Sequence, residues 1–213
     1  MTSLYRFGLA LVPGLFRVLF PYRILHRAPV PEGERAIICC NHITMKDPLM
    51  LALTQNRQIY FMAKAELFHN RLLAKIIRAL GAFPVNRGKG DSTAINAAVE
   101  LLDQNRLLGI FIEGTRSKDG NLLKPKPGVV MFASQTNSTI YPVAIVTKNG
   151  KIRLFHRVII NCGEPIRPEE LNIQEGTSLE YRNASRYVMS KISDLREEGL
   201  ALLNQKSKGR SSD

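Results

Sequence analysis

Residues 36–53 read AIICCNHITMKDPLMLAL, and the way this stretch divides decides the fold. Ala36–Cys40 is an unbroken apolar run of strand length, the composition of a strand buried on both faces. A polar turn, NHITMK, follows. Pro48 then opens a second apolar run, PLMLALTQN. Proline is favoured in the first helical turn and aspartate at the N-cap, so a helix is expected to start here with Asp47 as its cap. Strand, turn and helix in that order form the first unit of an α/β domain.

Working outward, the alternation continues. IYFMA (59–63) reads as a strand, 65–80 as a helix, AFPV (82–85) as a short strand, a further helix starts at Asp91 or Ser92, and LLGIFI (107–112) is a strand. A loop from Glu113 to Pro127 leads into a helix, GVVMFASQT, and the strand IYPVAIV. Pro142 predicts an edge or irregular position for that strand, because proline cannot donate to a ladder. Asn149-Gly150 between extended runs predicts a two-residue hairpin turn into IRLFHRVII. A C-terminal helix over about 177–204 aligns Leu179, Ala184, Val188, Ile192 and Leu195 on one face. The expected fold is α/β: a mixed, largely parallel sheet flanked by helices.

The chain of 213 residues is 45% apolar, enough for one sizeable core, and nothing in it reads as an interdomain linker. Three units are expected: a membrane-associating helical segment over 1–30, the α/β domain over 31–204, and a flexible polar tail over 205–213. A net charge of +12 points to polyanionic partners such as nucleic acid, an anionic membrane surface or phosphorylated small molecules. No RNA-recognition aromatic pattern or helix-turn-helix signal supports nucleic acid. Three cysteines, two of them adjacent, give neither a disulfide framework nor a zinc-ligand spacing, and fit a reduced compartment.

No run reaches the eighteen or so uncharged apolar residues of a transmembrane helix. The N-terminus is nonetheless unusual, with Arg6, Arg17, Arg23 and Arg27 and no acidic residue before Glu32. Leu4, Phe7, Leu11, Leu15, Val18 and Leu19 follow helical spacing, interrupted by Pro13 and Pro21. The pattern reads as one or two helices lying in a membrane interface, with arginines at anionic headgroups. A helix that caps the domain's own core is the alternative.

Inside the opening stretch, His42 and Asp47 are too far apart in phase to share a helical face, since five residues turn a helix by roughly 500°. They can meet only across the turn. Either Asp47 caps the helix and His42 is incidental, or the carboxylate accepts the Nδ1 proton of His42 and leaves Nε2 free as a base. The nearby nucleophile candidates are Cys39, Cys40 and Thr44, and both cysteines sit in the expected buried strand, where thiols are inert. Without an enzyme nucleophile the base must act on a substrate hydroxyl directly, which predicts transfer to an alcohol.

Four blocks in order, Asn41-His42-x4-Asp47, GAFPVNR (Gly81–Arg87), FIEGTRS (Phe111–Ser117) and IYPVAI around Pro142, resemble the motifs of the 1-acylglycerol-3-phosphate acyltransferase family. Ile112 stands where that family usually has proline. The resemblance implies catalysis by His42 and Asp47, phosphate binding by Arg87 and Arg116, and acceptor binding by Glu113. Gly114 and Thr115 leave backbone amides approachable by an anion, and Lys124 and Lys126 resemble basic residues that often follow the motif. Glu113 is otherwise read as a surface carboxylate paired with a base.

The implied reaction moves an acyl chain from acyl-coenzyme A or acyl-carrier protein to lysophosphatidic acid at the cytoplasmic face of a membrane, as a peripheral or monotopic protein. It needs no metal or cofactor. Glycerol 3-phosphate or another lysolipid as acceptor, and a basic membrane-binding module without chemistry, are the alternatives. On the 65–80 helix, Phe68, Leu72, Leu73, Ile76 and Leu80 are expected to face the core. Arg71, Lys75 and Arg78 then form a solvated stripe, or one that meets lipid headgroups or coenzyme phosphates.

Overall fold

The computed structural model describes residues 3–85 and 92–208. Its elements, in chain order, are α1 (Ser3–Leu19), β1 (Tyr22–Leu25), β2 (Ala36–Cys40), α2 (Asp47–Ala52), β3 (Ile59–Lys64), α3 (Arg71–Ala79), β4 (Ala82–Val85), α4 (Ser92–Asp103), β5 (Leu107–Phe111), α5 (Gly128–Thr136), β6 (Thr139–Thr147), β7 (Val158–Cys162) and α6 (Ser178–Lys208). The strands form one seven-stranded sheet in the order β1-β7-β6-β2-β5-β3-β4. Among the strands of the described residues, β6 and β7 alone pair antiparallel.

Right-handed crossovers fix the layers. The steps from β2 to β3 and from β3 to β4 run one way across the sheet, which puts α2 and α3 on one face. The steps from β4 to β5 and from β5 to β6 run the other way, which puts α4 and α5 on the opposite face. Two cores result. Cys40, Ile38, Met50 and Leu51 pack with Phe16 and Phe20 on the first face. Cys39, Ile37, Ala98, Val130, Val188 and Ile192 pack on the second. Every residue of β2 is buried, and each large apolar side chain removed from water there contributes about 1.5–3 kcal/mol.

Several expectations are corrected. β6 lies in the sheet interior between β7 and β2, not at an edge. Pro142 is tolerated because its missing N–H falls where β7 leaves the ladder: pairing with β7 begins at Val143↔Cys162, and Gly163 N–H still donates to Pro142 O (2.8 Å). The two-residue hairpin at Asn149-Gly150 does not form. Pairing stops at Thr147↔Val158, and of the two residues only Gly150 has positive φ (64°), whereas a tight I′ turn needs both. Residues 148–157 are a loop instead.

The 65–80 helix is broken by Asn70, whose extended backbone and side-chain oxygen cap α3 by accepting from Leu72 N and Leu73 N. A 3₁₀ turn occupies Ala65–Phe68. The face expected in the core is largely solvent-facing: Leu72 is 71% exposed, Leu73 and Ile76 are exposed, and Ala74 is the buried residue of α3. On α6, Ala184, Val188 and Ile192 are buried, but Leu179 is exposed. The expected polar tail is helical through Lys208, and 209–213 lie outside the described residues.

Within 1–30, the segment expected to be helical, Tyr22–Leu25 forms β1 and pairs in parallel with β7. Before it, α1 runs as one helix through Pro13. Tyr5, Phe16 and Phe20 are buried on the sheet side, whereas Phe7, Leu15 and Val18 are exposed. The segment therefore covers a core and also turns an apolar stripe outward.

Candidate active site

The parallel strands β2, β3, β4, β5 and β6 all end on one side of the sheet, where ligands of α/β domains characteristically bind. Beyond the last residue of β2, the Asn41 side chain takes over the strand's hydrogen bonding. Its Oδ1 accepts from Ile145 N–H at 2.8 Å and its Nδ2 donates to Ile145 O at 3.1 Å. Asn41 is thus a staple to β6 that fixes where the next residue, His42, leaves the sheet.

The turn does bring His42 to Asp47, with Nδ1 2.7 Å from Oδ2. The same carboxylate accepts from Ile43 N–H (2.7 Å), Thr44 N–H (2.8 Å) and the Thr44 hydroxyl (2.7 Å). Asp47 is fully buried. It is the first helical residue, with Lys46 at the N-cap position and no side-chain cap, so the expected cap at Asp47 is shifted: its carboxylate turns back over the loop. Facing a hydrogen-bond acceptor, Nδ1 carries the proton and Nε2 presents its lone pair. The His42 side chain keeps 12% of its surface exposed, an opening for a substrate hydroxyl.

The imidazole lies flat on Phe111, ring centroids 4.0 Å apart and planes 13° from parallel. Phe61 continues the stack at 6.1 Å. Gly109 makes room for it, since a Cβ at that position would lie 2.2 Å from Cε1 of Phe61. Two directions of His42 are therefore fixed, its tautomer edge by Asp47 and its ring plane by Phe111.

The loop after β5 is built against this pair. Ile112 N–H donates to Cys40 O (3.0 Å), a bond that proline, usual at this place in the resembled motif, would not make. Ser117 N–H donates to His42 O (2.8 Å), which ties the backbone next to Arg116 to that of His42. Glu113 is buried, contrary to its reading as a surface carboxylate, and accepts from Leu123 N–H (3.2 Å) and His42 N–H (3.4 Å). Burial pushes its carboxyl up from the ordinary value. It ties the start of the loop to its end.

Gly114 (φ 68°) turns the chain outward, and Thr115, Arg116, Lys124 and Lys126 are exposed around it. Among the described residues, Arg116, Lys124 and Lys126 enter no ion pair. Arg87 lies outside the described residues. Ser117 and Asn121 bind Asp119, and the Asn121 backbone N–H first, with the Asn121 amide and the Ser117 hydroxyl, holds its carboxyl down to about 2. Gly120 crosses Gly150 so closely that a Cβ on it would lie 2.2 Å from Gly150 Cα. Arg196 of α6 clamps the loop from behind by donating to Gly120 O (3.1 Å).

Cys39 and Cys40 are fully buried, and burial pushes both thiols well up, away from the thiolate a nucleophile requires. Among the described residues no group of three or more His, Cys, Asp or Glu side chains could hold a metal ion. Sequence reasoning missed the Asn41 staple, the Phe111 stack, Gly109 and Arg196. Asn41 and Phe111 lay inside recognised motifs, and only the register of β2 between β5 and β6 reveals what they do.

The chain matches the Acyltransferase family over residues 23–146, more than half its length, and belongs to that family. It is 28% identical over 153 residues to the 1-acyl-sn-glycerol-3-phosphate acyltransferase of Bacillus subtilis, covering 68% of this chain and 73% of that protein. It is 34% identical over 140 residues to the enzyme of that name from Streptococcus pneumoniae, covering 63% of this chain but 51% of that protein. The crystal structure of the 1-acyl-sn-glycerophosphate (LPA) acyltransferase from Thermotoga maritima superposes with a TM-score of 0.69 at 24% identity, covering 92% of this chain and 78% of that one. That likeness establishes the shared α/β fold.

Proposed function

We propose that this protein transfers an acyl chain from acyl-coenzyme A or acyl-carrier protein to the sn-2 hydroxyl of 1-acyl-glycerol 3-phosphate, producing phosphatidic acid. The observation that carries the reading is the 2.7 Å His42–Asp47 contact, which leaves Nε2 open on the side of the loop whose Arg116 enters no ion pair among the described residues. Nε2 takes the hydroxyl proton as the oxygen attacks the thioester carbon. The tetrahedral adduct collapses, the C–S bond breaks, and the imidazolium returns the proton to the departing sulfur. Asp47 stabilises the imidazolium and keeps the ring in place.

Arg116, with Arg87, grips the acceptor phosphate through charge-assisted hydrogen bonds. Gly114 and Thr115 shape the approach to that phosphate, and Lys124 and Lys126 add positive charge at its rim. Glu113 serves acceptor binding by holding the loop to the dyad. Both the acceptor and the product are lipids that reside in a bilayer, and the protein meets them as a peripheral or monotopic protein on the cytoplasmic face. Among the described residues no helix is long and apolar enough to cross a membrane. Support for interfacial contact comes from the exposed apolar stripes of α1 and α3 on one face of the sheet, with Arg71, Lys75 and Arg78 beside the second.

The test is a panel of acceptors and donors with analysis of the lipid product. Phosphatidic acid formed from 1-acyl-glycerol 3-phosphate in preference to glycerol 3-phosphate or a phosphate-free lysolipid is the expected outcome. Preferential acylation of either competitor would reassign the acceptor. Tight lipid binding with no turnover of any pair would leave a membrane-binding module.

A further inference from the structure

The loop between β6 and β7 has a tip that stability alone does not explain. His156 N–H donates to Arg153 O (3.2 Å), closing a turn whose two corner residues are Leu154 and Phe155. Turn corners favour Gly, Asn, Asp or Pro, yet here both are large and apolar, 54% and 69% exposed. Phe155 also has φ 59°, a left-handed conformation that bulky residues avoid. Such an outlier persists where the surrounding structure holds it, and it points to a function for the side chain. The loop is held on either side of the tip: Phe155 N–H donates to Leu19 O at the end of α1 (2.7 Å), and Ile152, two residues before Leu154, is buried in the core.

Around the pair stand Lys148, Lys151, Arg153 and Arg157, all exposed, and residues 148–157 contain no acidic residue. An exposed apolar pair in a loop of exposed cations complements an apolar layer beneath anionic headgroups. The tip adjoins the end of α1 whose Leu15 and Val18 face outward. It also projects from the end of β6 that lies on the same side of the sheet as His42, because β6 and β2 are parallel.

We propose that Leu154 and Phe155 form a membrane wedge that inserts among the lipids of an anionic bilayer beside α1 and turns the His42 end of the domain toward the leaflet holding the acceptor. The wedge rests on the bilayer reading above and adds a non-helical point of contact to the stripes of α1 and α3. A contact at the sheet end that carries His42 fixes an orientation that the helical stripes on one face do not.

The chain has no tryptophan, so Phe155→Trp in the full-length protein creates a single fluorescent reporter, and Val18→Trp gives an independent one on α1. Both are mixed with phosphatidylglycerol/phosphatidylcholine vesicles carrying brominated acyl chains. The wedge predicts a blue shift and bromine quenching at position 155. It further predicts that Leu154→Glu with Phe155→Glu lowers vesicle affinity and turnover of bilayer acceptor several-fold, while turnover of a monomeric short-chain acceptor is kept. A reporter at 18 that is quenched while the one at 155 stays silent overturns the wedge and leaves the bilayer reading standing. Silence at both positions overturns the two together. A reporter at 155 that responds to acyl-carrier protein but not to vesicles would assign the tip to the donor and also overturn the wedge.

Discussion

At the scale of single residues, the site depends on one buried carboxylate that does several things at once. Asp47 receives the His42 ring, two backbone N–H groups and one hydroxyl, so it shapes the turn as well as orienting the imidazole. Asp47→Asn replaces one acceptor oxygen with a donor that faces other donors. We expect turnover to fall by at least about tenfold, with the loss in kcat, and the melting temperature to fall too, because a charged hydrogen-bond network contributes about 1.5–3 kcal/mol per bond. Rate and thermal unfolding measured on the same preparation separate the two effects. Unchanged kcat in the variant would remove Asp47 from the chemistry. Arg116 is the opposite kind of residue, exposed and, among the described residues, in no ion pair. Arg116→Ala should raise the KM for the phosphorylated acceptor while leaving the KM for the thioester little changed, since it removes bonds to a group that does not react. Steady-state kinetics with each substrate varied in turn checks this, and a rise confined to the donor KM would assign Arg116 to the donor.

At the scale of elements, the loop of residues 113–127 is preformed by its own hydrogen bonds, and its acid sensitivity follows from Asp119. That carboxyl is held down to about 2 from an ordinary 3.8, so its contribution is fully present above about pH 4 and is lost as pH falls toward 2. Glu113 works the other way, its carboxyl pushed up by burial: its ionised form is disfavoured in the fold, so its contribution is greatest at low pH and fades as pH rises through the raised value. Asp119→Asn should flatten the part of the acid unfolding curve between about pH 4 and 2, and an unaltered curve would show that the loop's bonds to Asp119 do not matter to the fold. Much at this scale was legible in the sequence. Short apolar runs bounded by turn residues located β2 to β6, and the N-H-x4-D spacing located the dyad. The rest was not local. YRIL of β1 mixes an arginine with apolar residues because it is a short strand at the sheet edge, and nothing nearby announces its distant partner β7. The periodicity of α3 reveals an apolar face but does not say whether anything covers it. Pro142 marks an irregularity, and only its pairing tells an interior strand from an edge.

At the scale of the whole molecule, the +12 charge and the exposed apolar stripes act together. Arg27 is committed to the fold, donating to Thr54 O and Asn56 Oδ1, so on the proposed bilayer reading the N-terminal arginines that remain to attract lipid are Arg6, Arg17 and Arg23. Each contributes about 1 kcal/mol at an anionic surface. Changing all three to glutamate should weaken cosedimentation with anionic vesicles by about a hundredfold or more, and slow turnover of bilayer acceptor far more than that of a soluble one. Full vesicle binding by that variant would move the attraction elsewhere on the surface. The central claim is narrower than membrane attachment: His42 is the base that activates an acceptor hydroxyl directly, with no acyl-enzyme between donor and product. Thiol release from acyl-coenzyme A, followed with and without lysophosphatidic acid in the wild-type protein and in a folded His42→Ala variant, tests it most directly. We predict release that requires the acceptor and falls about 10²–10⁴-fold in the variant; acceptor-independent release with an acylated protein, or near-normal turnover by His42→Ala, would contradict it.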